Sequence, residues 1–364
     1  MRVLIATPLY PPEPGGPATY AKLLKEGLPG LGVEVSIVKF NDVRHLPKIF
    51  RHFAYILRLI WEGRSYDLVL VLDPVSTGFP AALAAMFLGK PLVLKVVGDY
   101  AWEQGKQRFG VTESLDDFAL ERRVPLPVRV LRSIETWVAH RSSAIIVPSE
   151  YLKLHVASWG IPSEKITVIH NAVALAEGGK VPEEVLRLPH PRVLTVARLV
   201  PWKGIAGLIE AVAKVRRDGK KVSLIIVGDG SERSHLEKHA QEKLRDNFVF
   251  TGPLAPKDVH AILRESDVFA LNSAYEGLSH VLIEALAAGL PIVATKAGGN
   301  VEVVTDDSGI LIPVGDTPAL ADAIARIINN PEPSSRLREG ALKRSQLFGV
   351  PVMLARTKEL LAAI

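Results

Sequence analysis

Short apolar runs rich in β-branched residues alternate with longer stretches of helical periodicity along the whole chain. In the first half the strand candidates are Arg2–Ala6, Glu34–Val38, Leu68–Leu72, Leu92–Val97, Ala144–Val147 and Ile166–Ile169. In the second half they are Arg192–Val196, Ser223–Val227, Val249–Thr251, Val268–Leu271, Ile292–Ala294 and Ile310–Ile312. Many of these runs are apolar at consecutive rather than alternate positions, the pattern of parallel strands covered by helices on both faces. Strand–helix alternation of this kind predicts an α/β fold of doubly wound parallel sheets. The periodicity weakens near Ala174–Pro191, where Gly178, Gly179 and prolines at 182, 189 and 191 cluster. Two Rossmann-like domains are therefore expected, at 1–180 and 181–346, with the loops beyond the carboxyl ends of their strands facing a cleft. Residues 347–364 read as a terminal helix.

Composition narrows the class. At 364 residues, with 48% hydrophobic and 23% charged positions, the chain has ordinary globular composition and is long for one domain. A net charge of +5 permits an anionic partner without identifying one. No basic motif interleaved with aromatics points to nucleic acid. The absence of cysteine excludes disulfides, thiol nucleophiles and thiolate metal sites. The apolar run after Met1 is short and stops at Pro8, so it reads as a first strand rather than a signal peptide. No uninterrupted apolar run reaches the length of a membrane span. A cytoplasmic protein is expected.

The most informative residues are Glu276 and Glu284, in the segment Ala274–Ala285. Glu284 falls inside a predicted helix and Glu276 just before it, next to Gly277. A helix start presents unpaired backbone N–H groups to an anion. Ser279 is a candidate N-cap, and the N–H groups of His280 and Val281 would then address a phosphate. A phosphate site flanked by two carboxylates suits a nucleotide sugar. Upstream, the strand Arg192–Val196 runs into Arg198 and, five residues on, Lys203, two cations able to stabilise charge on a departing diphosphate.

Three further loops follow strands. Pro8–Tyr20 carries Gly15 and Gly16, which would let the backbone approach a phosphate or sugar closely. Its prolines and the absence of Gly-x-Gly-x-x-Gly argue against a dinucleotide site and a hydride-transfer enzyme. Gly98-Asp99-Tyr100 follows Leu92–Val97, and Asp99 reads either as a ligand to a sugar hydroxyl or as a helix cap. Gly228 and Leu254 stand in turns after the next two strands. No Asp-x-Asp pair is present to hold a metal on a diphosphate, so no metal and no other cofactor are expected. Residues 44–64 form a basic amphipathic pattern after Pro47, with Phe50, Phe53, Leu57 and Trp61 among its apolar positions. Such a helix either packs on a core with its basic side in water or lies in an anionic lipid interface.

Glu276-x7-Glu284 followed by Gly289-Leu290-Pro291-Ile292-Val293-Ala294-Thr295 and Gly298-Gly299, together with Arg198-x4-Lys203-Gly204 and the loop at Gly15-Gly16, resembles the retaining glycosyltransferases of family 4. The resemblance extends over nearly the whole chain. It implies the GT-B fold, in which the C-terminal helix commonly crosses back to the first domain. It implies metal-independent transfer of a hexose from a UDP- or GDP-sugar to a lipid or saccharide acceptor by front-face displacement, completed by domain closure. Arg198, Lys203 and Glu276 would act on the diphosphate and sugar, and Glu284 would hold the ribose diol. Gly228 and Leu254 would line the base, Leu278, Ser279, His280 and Val281 the phosphate. Gly15, Gly16, Asp99 and Tyr100 would face the acceptor and part of the donor sugar. The sequence departs from the family at Gly98-Asp99, where many members carry histidine. The alternatives are a GT-B nucleotide-sugar epimerase and a non-catalytic sugar-nucleotide-binding partner in envelope assembly.

Overall fold

The computed structural model describes residues 1–13, 15–121 and 123–364. Each of the twelve expected strands is present, with ends moved by at most two residues. In chain order they are β1 (Arg2–Thr7), β2 (Glu34–Lys39), β3 (Leu68–Val71), β4 (Leu92–Lys95), β5 (Ala144–Val147) and β6 (Ile166–Val168). The second set is β7 (Arg192–Val196), β8 (Ser223–Val227), β9 (Phe248–Gly252), β10 (Val268–Leu271), β11 (Ile292–Thr295) and β12 (Gly309–Ile312). They form two six-stranded sheets, β2-β1-β3-β4-β5-β6 and β12-β11-β10-β7-β8-β9, with every pairing parallel.

Burial on both faces explains the consecutive apolar positions. In β1, Leu4 and Ala6 enter one core cluster while Val3 and Ile5 enter another on the opposite face. In β8, Leu224 and Ile226 divide from Ile225 and Val227 in the same way. Side chains alternate across a strand, so helices on both faces require apolar residues at every position.

The chain divides into two units, Met1–Ala172 with Val350–Ile364, and Val173–Gly349. The break falls ahead of the boundary at 180 expected from the sequence. The last helix, Val350–Ala362, belongs to the first unit, where Met353, Leu354 and Leu361 join the cluster of Leu24 and Leu28. Leu354 fills the space that a side chain at Gly27 would take.

Lys95, at the end of β4, is the misfit of the first unit. It is buried, its Nζ has no hydrogen-bond partner among the described residues, and it lies 4.0 Å from the centre of the Tyr20 ring. Burial lowers its pKa from 10.5 to about 7. Between those values the unfolded chain binds a proton that the folded chain does not, so stability rises with pH across that window. Lys95→Met should raise the melting temperature by several degrees at pH 7 and by less near pH 10, measured by scanning calorimetry.

The helix Lys48–Gly63 packs on the first unit through Tyr55 and Leu59, which are buried. Phe50, Phe53, Leu57 and Trp61 recur at helical spacing on the opposite side, exposed at 66%, 60%, 51% and 73%. The cations turn back towards the body: Arg58 bonds Asp42 at 2.7 Å and Glu62 at 2.8 Å, and the Arg51 guanidinium lies 5.7 Å from the Phe40 ring centre. The helix thus packs on the core, as one alternative expected, but its outward side carries an apolar stripe rather than a solvated basic face. The side chains of Lys48 and Ile49 lie outside what the structure describes. Among the described residues no helix is long and apolar enough to cross a membrane.

Candidate active site

In an open parallel sheet, the loops after two neighbouring strands diverge where the strand order reverses, leaving a crevice at their carboxyl ends. In the second sheet that point lies between β7 and β10. The loop after β7 carries Arg198 and Lys203, and the loop after β10 carries Glu276. The structure brings the latter two together: Lys203 Nζ donates to Glu276 Oε1 at 2.6 Å across 73 residues of sequence. Ser273 Oγ donates to the same oxygen at 2.7 Å. With side-chain exposures of 16% and 10%, the ion pair is largely removed from water. It therefore differs from a surface pair, and removing either partner would strand the other charge.

Further hydrogen bonds lace these loops together. Ala274 N–H donates to Trp202 O at 2.7 Å, and Asn272 Nδ2 donates to Gly204 O at 2.8 Å. Gly299 N–H donates to Glu276 O at 2.9 Å. A Cβ at Gly299 would stand 2.3 Å from the Gly277 carbonyl oxygen, so only glycine lets the loop after β11 lie on the Glu276 loop. Gly228 plays a similar part at a φ of +130°, where a Cβ would meet Ala197 O at 2.0 Å. Its requirement is close approach of the loops after β7 and β8.

Arg198 is exposed, its guanidinium 5.8 Å from the centre of the Trp202 ring. Leu254 is half-buried and packs on the core of the second unit. Leu278 is a core residue whose side chain packs in the second unit. Ser279 takes the N-cap position of the helix His280–Ala287 but makes no side-chain capping bond, which differs from the cap expected. His280 and Val281 form its first turn, and Glu284 stands half-buried in the next. Glu284 Oε1 lies 3.6 Å from Nε2 of His260, a buried residue of the helix Pro256–Arg264.

The sequence did not single out Ser273, Trp202 or His260. Trp202 lies inside a segment already marked. The other two touch the marked glutamates only in three dimensions.

In the first unit the order reverses between β1 and β3. Gly15, at a φ of +142°, is the N-cap of the helix Gly16–Gly27 that follows β1. Pro14 of this loop lies outside the described residues. Asp99 is buried and caps the helix Tyr100–Arg108, accepting from Trp102 N–H at 2.7 Å. Its other oxygen bonds His155 Nε2 at 2.9 Å. Asp99 thus makes the capping contact of the second reading. Glu135 lies behind it, accepting from the N–H groups of Tyr100 and Ala101. Burial, and then the nearby Asp99 carboxylate, hold the Glu135 pKa well above the usual carboxylate range.

Residues 14–177 match the model described as Glycosyltransferase Family 4, and residues 181–344 match Glycosyl transferases group 1. The chain belongs to the family 4 glycosyltransferases. Among curated relatives, it is 29% identical over 234 residues to the 2-deoxystreptamine glucosyltransferase of Streptomyces kanamyceticus, covering 61% of this chain and 60% of that protein. It is 34% identical over 199 residues to the lipopolysaccharide core biosynthesis glycosyltransferase LpsD of Rhizobium meliloti, covering 54% and 55%. The matches thus span between half and two thirds of the length of these relatives. In fold it is similar to Anabaena HepE, solved in complex with UDP-glucose, with a TM-score of 0.77, 22% identity and full coverage of both chains.

Proposed function

We propose that the chain is a hexosyltransferase that binds a nucleotide sugar, UDP- or GDP-linked, at the carboxyl ends of β7 and β10 and transfers the sugar with retention of configuration. The observation that carries this reading is the buried Lys203–Glu276 pair at the reversal point of the second sheet, just ahead of the helix bearing Glu284. A cation fixed there would meet charge developing on the departing diphosphate without reorganising. Arg198 would add a second cation, and together they would do the work a divalent metal does elsewhere. Glu276 would accept from sugar hydroxyls and Glu284 from the ribose diol, both through charge-assisted bonds. The leaving diphosphate would take the acceptor proton, so no protein nucleophile is needed. The UDP-glucose complex of HepE and the glucosyltransferase relative support a nucleotide-sugar donor. The LpsD relative supports a saccharide or lipid-linked acceptor.

The test is incubation with UDP-glucose and with GDP-mannose in EDTA, following nucleoside diphosphate release and the anomeric configuration of any product by NMR. Acceptor-dependent release with retained configuration is expected. Release that occurs only with added metal, or an inverted product, would overturn the corresponding part of the reading. Conversion of the donor with no acceptor present would favour the epimerase.

The outward stripe of Phe50, Phe53, Leu57 and Trp61 supports attachment of the first unit to an anionic membrane surface. Large exposed apolar patches mark interaction sites. Among the described side chains, Arg64 is an exposed cation at the end of this stripe, and the only acid of the helix sequence, Glu62, is paired with Arg58. A second copy would set cation against cation, whereas anionic headgroups would complement them. Phe53→Glu with Trp61→Glu should abolish co-sedimentation with phosphatidylglycerol vesicles at low salt. Wild-type protein that stays in the supernatant would end this part of the proposal.

A further inference from the structure

We propose that His260 is a positioning residue for Glu284, an inference that rests on Glu284 holding the ribose. The imidazole is buried, and its Nδ1 accepts the Ala176 N–H at 2.9 Å. A nitrogen that accepts is unprotonated, so the proton of the neutral ring sits on Nε2. Nε2 is buried and has no hydrogen-bond partner among the described residues. The Glu284 Oε1 carboxylate oxygen lies 3.6 Å from it. That is just beyond hydrogen-bond length, and a buried N–H without an acceptor is costly.

A small movement of the Glu284 side chain closes this gap. The carboxylate would then accept from His260 on one side and from the ribose hydroxyls on the other. The bond compensates the orphaned donor and fixes the carboxylate rotamer in the bound state. His260 can act this way because its own helix is anchored. Arg264 Nη2 donates to Ala176 O at 2.9 Å, and Asp258 Oδ1 accepts from Lys180 N–H at 2.8 Å. The helix Pro256–Arg264 thereby grips the segment just after the break between the units at both ends, with His260 between the two grips.

The test is calorimetric titration of UDP and GDP, and of their 2′,3′-dideoxy forms, into wild type, His260→Leu, His260→Gln, Glu284→Ala and the His260→Leu, Glu284→Ala double variant. His260→Leu should weaken the ribonucleotide about tenfold and leave dideoxynucleotide affinity unchanged. His260→Gln, whose amide can still donate towards Glu284, should recover most of the loss. On the Glu284→Ala background, His260→Leu should have no further effect. Equal loss for both nucleotide forms would reduce His260 to general support of the fold and overturn the proposal. So would wild-type ribose preference in His260→Leu when Glu284→Ala abolishes that preference. If Glu284→Ala itself keeps the preference, or neither nucleotide binds wild type, the ribose assignment falls and takes this inference with it.

Discussion

Lys203→Ala should lower kcat by about two to three orders of magnitude, the range found when one preorganised charge-stabilising donor is removed from a transition state. Initial rates of nucleoside diphosphate release at saturating donor would measure it. Lys203 differs from a surface lysine because Glu276 Oε1 holds its ammonium at 2.6 Å within a largely buried pair. The alanine variant therefore loses two things at once. The cation facing the departing phosphate disappears, and Glu276 is left buried with Ser273 as its remaining side-chain donor to Oε1. The second loss should cost about 3 kcal/mol of stability, as for other broken buried pairs. Lys203→Arg restores the charge with a different shape, and should recover stability more fully than turnover. Near-normal kcat in Lys203→Ala would remove the residue from the mechanism. A rise in KM with kcat unchanged would assign it to ground-state binding instead.

Glu284→Ala should weaken nucleoside diphosphate binding by about a hundredfold, which calorimetric titration would read directly. Two hydroxyls bonded to one carboxylate form two charge-assisted hydrogen bonds, each contributing about 1.5 kcal/mol or more. Because the side chain lies in the second turn of the helix His280–Ala287, truncation should leave the helix start and the Lys203–Glu276 pair in place. The loss should therefore fall on affinity, with turnover at saturating donor nearly preserved. Unchanged affinity would refute the ribose assignment.

The sheets were readable from the sequence because burial on both faces forces apolar residues at consecutive positions, as in Leu68–Val71 and Ala144–Val147. The loops carrying Arg198, Lys203, Glu276 and Glu284 were readable because their spacing and glycines are written locally. What they do to one another was not. The Lys203–Glu276 pair depends on β7 and β10 being neighbours, which strand order decides and local pattern does not. His260 looks like any histidine on an amphipathic helix until Glu284 is placed beside it. Asp99 carried both a ligand and a cap reading, and the cap became visible only once Trp102 and His155 were placed beside it. The helix Lys48–Gly63 announced its amphipathicity clearly, but a periodic pattern fixes only the relative direction of its faces. Burial of Tyr55 and Leu59 fixed which side turns inward.

The central claim is that the second unit binds a nucleoside diphosphate at the loops after β7 and β10. The melting temperature with and without UDP and GDP, in EDTA, tests it most directly, because a ligand that binds only the folded state raises it by mass action. A rise of several degrees with one nucleotide, strongly reduced in Glu284→Ala, is the predicted result and would also fix the donor class. No rise with either nucleotide at millimolar concentration would contradict it.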